Sequence, residues 1–150
     1  MLSHVWSSTI LGVDALPIEI ETYARGGTPK YTVVGLPDGA VRESRDRILT
    51  ALRTNELPRP RGNVTINLAP ADVKKEGAAF DLPIAIGLIA AADSNVKQAR
   101  LDEMVITGEL SLEGTVRPVR GVLSMAIRAA KDGKKAVLVP LENAAEAAVV

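Results

Sequence analysis

The side chains able to do chemistry are few, and they fall in two runs. Lys74-Lys75-Glu76 leads into Gly77-Ala78-Ala79-Phe80-Asp81, and Arg59 and Arg61 flank Pro60 with Arg53 upstream. The lysines suit either a positively charged loop that meets nucleic acid or a neighbouring subunit, or a solvated loop leading into an apolar segment; the second is the simpler reading. An arginine fork can hold two phosphate oxygens at once, which makes Arg59 and Arg61 candidate phosphate contacts. Their other reading is solubility, because one Trp, two Tyr and one Phe supply little for base stacking. Asp81 could be a catalytic carboxylate, but its place just before Leu82 and Pro83 suits a helix N-cap.

Much chemistry is excluded outright. With no cysteine and one histidine, His4, the chain offers no thiol nucleophile, disulfide framework or Cys/His zinc pattern. A Ser-His-Asp triad would depend on His4, close to an end expected to be mobile. No G-x-x-x-x-G-K-[ST] occurs, and Gly26-Gly27-Thr28-Pro29-Lys30 is too short for a phosphate-cradling loop, so ATP hydrolysis is not expected of these residues. Lys plus Arg equals Asp plus Glu, 18 of each, so any nucleic-acid contact must come from a local patch. The start lacks the basic and apolar regions of a signal peptide, and no run approaches the ~20 apolar residues of a membrane span. A cytoplasmic protein with no membrane contact is expected.

The elements that must position these residues can be read from periodicity. At 150 residues, 47% of them apolar, one domain with one core is expected. Ile18, Ile20 and Thr22 alternate with Glu19 and Glu21, and turn residues Gly26 to Pro29 lead to Tyr31–Val34, a pattern that predicts an opening β-hairpin. Val41, Ser44, Ile48, Ala51 and Leu52 recur at helical spacing. The charges opposite them, with Glu43-Arg47 and Arg42-Asp46 at i,i+4, read as a solvated face. Val64, Ile66 and Leu68 predict a third strand, and Phe80 to Ala92 a buried helix at the centre of the core, with Pro83 in its first turn. Then follow a strand at Met104–Thr107, a hairpin around Glu113-Gly114, a helix from Val122 to Lys131 ending at Gly133, and a strand at Ala136–Val139. Asn143 and Glu146 resemble a capping box, yet the chain stops at Val149-Val150, as if cut from something longer. Interleaved hairpins and helices argue for an α+β fold with a mixed sheet, not a doubly wound parallel one.

The run from Asn67 through Ala85 closely resembles the signature of the YifB/ComM family of magnesium-chelatase-like AAA ATPases. Val34-Gly35-Leu36-Pro37-Asp38 with Val41–Arg45, then Gly108–Leu112, then Arg117–Leu123 resemble further motifs of that family, so the resemblance spans nearly the whole chain. The family's N-terminal domain is similar in turn to the proteolytic domain of Lon and the C-terminal domain of RadA, most strongly from Lys75 through Asn143. This implies a Lon proteolytic-domain-like fold of the ribosomal protein S-five domain-2-like superfamily, a mixed β-sheet packed with helices.

Lon-type peptidases use a serine activated by a lysine. Laid through the shared Gly77, Gly108-Glu109, Pro118 and Gly121, the resemblance puts the serine position on Ala79 and the lysine position on Met125. A methyl group is no nucleophile and a thioether takes no proton at neutral pH, so a degenerate dyad without catalytic residues is implied. A displaced dyad of Ser124 with Lys74 or Lys75 is disfavoured, because one residue along a helix turns a side chain by about 100°.

The resemblance implies a single domain over residues 1–150, the non-catalytic N-terminal part of a ComM-type hexameric ATPase. Such a protein is a DNA branch-migration helicase of natural transformation and recombination. ATP and Mg would belong to the ATPase domain that follows in the family, and no cofactor or metal is expected in these residues. The implied partners are that ATPase domain, neighbouring subunits, and single-stranded or branched DNA, with Arg59, Arg61, Lys74 and Lys75 as candidate contacts. The rival readings are an active Lon-type peptidase, against which Ala79 and Met125 stand, and a small-molecule kinase. A kinase would need a richer phosphate loop than the one glycine in Lys75–Ala79. The magnesium-chelatase similarity lies in the ATPase, so tetrapyrrole chemistry is not implied.

Overall fold

The structure, a computed structural model, describes residues 1–150. In chain order the strands and helices are β1 (Leu2–Leu11), β2 (Asp14–Arg25), β3 (Lys30–Val34), α1 (Gly39–Thr54), β4 (Asn63–Ala69), α2 (Asp81–Ala92), α3 (Gln98–Asp102), β5 (Met104–Ile106), β6 (Glu109–Leu110), β7 (Val116–Arg117), α4 (Val122–Lys131), β8 (Ala136–Leu138) and α5 (Ala144–Ala147). Six strands form one mixed sheet in the order β3-β4-β2-β1-β5-β8, and β6 and β7 pair as a separate hairpin. The β1–β2 and β2–β4 pairs are antiparallel, whereas β3–β4, β1–β5 and β5–β8 are parallel. The two outer parallel pairs, β3–β4 and β5–β8, are each joined by a crossover that carries a helix, α1 in one case and α4 in the other.

Strand alternation divides the core in two. Val5, Ile18, Ile20, Val64, Ile66 and Leu68 face α1 and α2 in the main cluster, with Ile48, Leu52, Ile84 and Leu88 from the helices. On the opposite face, Ala15 and Val105 meet Val122, Met125 and Ala129 of α4, flanked by Trp6 and Val137. As the apolar run predicts, α2 lies in the core; Gly87 lets it approach so closely that its carbonyl accepts a 2.8 Å hydrogen bond from Ser3 Oγ.

The opening differs from the sequence expectation. Ile18–Thr22 and Tyr31–Val34 do not form a hairpin: β2 pairs with β1 across the two-residue Gly12-Val13 turn, and β3 runs parallel to β4. The N-terminal segment is a central strand, and His4 is a paired residue of it rather than part of a mobile end. His4 Nδ1 lies 3.3 Å from Glu19 and 4.0 Å from Glu21 across β1–β2. The short α3 also had no periodic signal. By contrast, α4 spans Val122–Lys131 as expected, with Gly133 at φ +74° just beyond its end. The hairpin around Gly114 and the strand from Ala136 also stand. Asn143 is no capping-box residue of α5: its side chain accepts from Val119 N and donates to Val119 O, both at 3.0 Å.

Candidate functional site

A cleft of about 680 Å³ opens between the 76–80 loop, the end of β1 and the approach to α4. Its loop side is held at both ends. Asp38 caps α1, one carboxylate oxygen accepting from Val41 N at 2.8 Å, while the other accepts from Gly77 N at 3.1 Å. Beyond Gly77, at φ +83°, the Ala79 carbonyl accepts from Gly108 N at 3.0 Å, and Gly108 O accepts in turn from Leu82 N at 3.0 Å. On the other wall, α4 starts at Gly121, φ +82°, where a Cβ would lie 2.6 Å from Ile10 Cγ1. Glu146 accepts from Leu123 N at 3.1 Å and so caps the first turn of α4 from the far end of the chain.

Ala79 and Met125, placed by resemblance on a catalytic dyad, line this one cleft together. Met125 is 3% exposed, and the only cation in the lining is Arg120, so no lysine or histidine faces Ala79. The hydroxyls of Ser8, Thr9 and Thr107 and the carboxylates of Asp38, Glu76 and Glu109 share the rest of the surface with apolar Ile10, Phe80, Val119 and Val122. The arrangement offers a loop and partly polar walls, with a methyl group and a thioether at the two positions where a nucleophile and its base would sit.

The displaced dyad is not brought together. Ser124 donates to Val13 O at 2.8 Å and lines a different hollow beside Leu11 and Leu16, while Lys75 points under the loop. Lys75 is the main departure from the solvated-loop reading. It is wholly buried, its ammonium donating to Gly35 O at 2.6 Å and to Pro70 O, and so it is not a surface contact for nucleic acid or a subunit. Its own backbone pairs with the 36–38 segment, N–H to Leu36 O at 3.0 Å and O from Asp38 N at 2.9 Å. Lys75 thus ties the cleft loop to the β3–α1 junction. Lys74, one residue earlier, is exposed and reaches Glu76 at 3.4 Å.

Burial lowers the Lys75 pKa. A cation whose folded pKa lies below its unfolded value destabilises the fold while charged, and the penalty disappears as pH rises from the folded towards the unfolded pKa. The Lys75→Met variant lacks this group, so wild type is expected to gain stability over it as pH rises through the alkaline range towards about pH 10, the unfolded lysine pKa. Paired urea titrations across that range check the trend, and a constant difference would overturn it.

Asp81 is not the N-cap of α2, which starts after Phe80 without any side-chain cap. It is fully buried, and both its oxygens accept from Arg47, at 2.8 and 3.0 Å, with Leu110 N adding a third bond at 3.1 Å. Arg47 therefore leaves the solvated face expected of it and points inward. Burial raises the Asp81 carboxyl above its usual range, opposed by the Arg47 bonds and the Leu110 N–H. Asp38, Arg47, Asn143 and Glu146 all hold the cleft walls, and local sequence offers no signal for this role because the partner that each ties to is distant: Gly77, Asp81, Val119 and Leu123.

Arg59 and Arg61 line a separate recess of about 280 Å³ with Lys30, Arg45 and Arg53, and neither lines the cleft.

Comparison with known proteins fits this geometry. The family described as subunit ChlI of Mg-chelatase matches residues 20–143. YifB of Escherichia coli is 43% identical over 149 residues, 99% of this chain and 29% of its own length. Competence protein ComM of Haemophilus influenzae is 42% identical over the same shares. Lon protease of Mycoplasma mycoides is 30% identical over 142 residues, 90% of this chain but 17% of that protein. The chain spans less than a third of the length of these relatives. Matched by the ChlI profile over most of its length and by YifB and ComM from end to end, the chain belongs to the YifB/ComM family of Mg-chelatase-like proteins.

Proposed function

We propose that this chain is the non-catalytic N-terminal domain of a ComM-type hexameric AAA ATPase, built on a Lon proteolytic-domain-like fold. Its role is to order subunits around the motor and to handle DNA in the cytoplasm, with ATP and Mg bound by the ATPase region of the longer protein. The observation that carries this reading is the meeting of Ala79 and Met125 in one cleft whose lining holds no lysine or histidine. A peptidase ancestor explains the held loop and the partly polar walls; the missing nucleophile and base explain a scaffold. The 30% identity to a Lon protease supports the same history.

The expected result of incubating the chain with unfolded protein and fluorogenic peptides is no cleavage above background, and no labelling by a serine-reactive fluorophosphonate. Cleavage, or labelling of a serine on the cleft wall such as Ser8, would replace this reading with the active peptidase. The scaffold role has its own check. Deleting the region matching residues 1–150 from ComM of Haemophilus influenzae is expected to weaken hexamer formation in sedimentation, and unchanged assembly would remove that role.

A further inference from the structure

We propose that the recess between α1, the 58–62 connector and the start of β3 binds the phosphodiester backbone of a single nucleic-acid strand. The inference rests on the reading of the chain as a DNA-handling domain and names the surface that does it. Arg45, Leu49 and Arg53 recur at i, i+4 and i+8, so α1 presents both arginines on one face. Arg59 and Arg61 meet them from the connector and Lys30 from β3, in a recess with no carboxylate among its lining residues. An adjoining hollow of about 450 Å³ shares Arg53, Arg59 and Arg61 and has Glu56 as its one acid.

What sets these five cations apart is that they share one recess, since eight of the other thirteen Lys and Arg side chains also lack an acid within salt-bridge distance. Arg47, Lys74, Arg117, Arg128 and Lys135 all sit within salt-bridge distance of an acid, whereas Lys30, Arg45, Arg53, Arg59 and Arg61 have no such partner. In a chain with 18 positive and 18 negative residues, five unpaired cations in one hollow concentrate a positive potential that the whole molecule lacks. Guanidinium forks repeated along a groove match a repeating phosphate better than a single anion.

The site is also set in advance. Pro58 and Pro60 restrict the connector, and Gly62 runs so close under the Arg25 carbonyl that only a residue without a Cβ fits. Its own carbonyl accepts from Lys30 N at 3.4 Å, tying the connector to β3. Little ordering cost then remains for the main chain on binding. The Tyr31 ring is overlaid by Arg45 at 5.8 Å, so the recess offers charge without an open stacking platform, and binding should follow the backbone and ignore sequence. Walled by α1 on one side and the connector on the other, the recess of about 280 Å³ suits one strand better than the wider duplex.

The test is fluorescence anisotropy with labelled oligothymidine, a mixed-sequence strand and its duplex, at salt concentrations from about 50 to about 200 mM. Arg59→Ala/Arg61→Ala is compared with Lys131→Ala, an exposed change on α4. Wild type and Lys131→Ala are expected to bind both strands equally, with affinity falling steeply with salt. The double variant should flatten the slope of log affinity against log salt by about 1.4, about 0.7 for each phosphate of a single strand that is no longer neutralised. No salt-dependent binding by wild type overturns the proposal, as does an unchanged slope in the double variant or a preference for the duplex. Binding of pyrophosphate without binding of any oligonucleotide overturns it too, and leaves a small-phosphate site. Equal thermal midpoints of variant and wild type show that the fold is intact. The cleavage assay above reads the scaffold proposal independently, so failure of one is distinguishable from failure of the other.

Discussion

Gly35→Ala is expected to lower the stability of the chain by about 3–7 kcal/mol. Gly35 sits at φ +102°, which L side chains rarely adopt, and a Cβ there would fall on the carbonyl oxygen of Leu68 in the neighbouring strand. Both atoms belong to backbone, so neither can swing away as a side chain could. Moving the segment instead would break the last parallel pairing, Val34 with Asn67, and withdraw the carbonyl that accepts from Lys75. Backbone strain of this kind costs about 1–3 kcal/mol. Overpacking adds about 1–3 kcal/mol, and the lost Lys75 acceptor at least another 1 kcal/mol, approximately. Against a total stability of about 5–15 kcal/mol for a domain, that sum removes roughly half of the margin. A urea melt and far-ultraviolet circular dichroism check it; a variant within about 1 kcal/mol of wild type would show that the β3–α1 junction is far more pliable than its packing implies.

The same junction shows what the sequence could not tell. Lys74 and Lys75 are adjacent and alike, yet one is exposed on the loop and the other wholly buried. Its acceptors lie 40 residues upstream and five residues upstream, so no local pattern separates the two. The first strand was hidden for a different reason. Its inward positions are Ser3, Val5, Ser7 and Thr9, while Trp6 and Ile10 point to the other face, so apolar alternation gives no clear face. Ser3 is tolerated inside because α2 approaches it at Gly87, where its hydroxyl donates to the Gly87 carbonyl. Where one face is plainly apolar, as in α1 and α4, or nearly every side is, as in α2, the elements were legible.

The candidate site was legible in one respect only. The positions Ala79 and Met125 followed from ordered motifs 46 residues apart, and the cleft that joins them is the product of two stapled walls. What holds the walls came from charged residues whose periodicity had pointed outward. On α1, Arg45 and Arg53 keep that outward face and build a cationic recess, while Arg47 turns in. Helical spacing distinguishes faces but cannot say which charge will meet a buried acid 34 residues later.

That acid makes Arg47→Met the other change with a large expected effect. Asp81 is buried with three hydrogen bonds, two of them from Arg47, whose side chain remains 24% exposed. The two partners are therefore unequal: an arginine without Asp81 can hydrate, but a carboxylate without Arg47 is stranded beside the α2 start with only Leu110 N. Breaking a buried pair by removing one partner costs about 3–5 kcal/mol, chiefly because the charge left behind has no compensation. Burial already raises the Asp81 pKa, and loss of Arg47 removes the largest opposing cause. An acid whose folded pKa is raised above its unfolded value favours the fold while protonated and loses that advantage as pH climbs through the folded pKa. The deficit of Arg47→Met should therefore be largest near neutral pH and shrink as pH falls towards the range where Asp81 takes up its proton. Arg47→Met/Asp81→Asn should recover most of it at neutral pH, since the amide carries no charge and its oxygen can still accept from Leu110 N. Urea midpoints at several pH values, for the single and double variants, decide the matter. A deficit that ignores pH and survives the second substitution would mean that Arg47 acts by packing its stem against α1, and that the buried charge is not what the pair exists to neutralise.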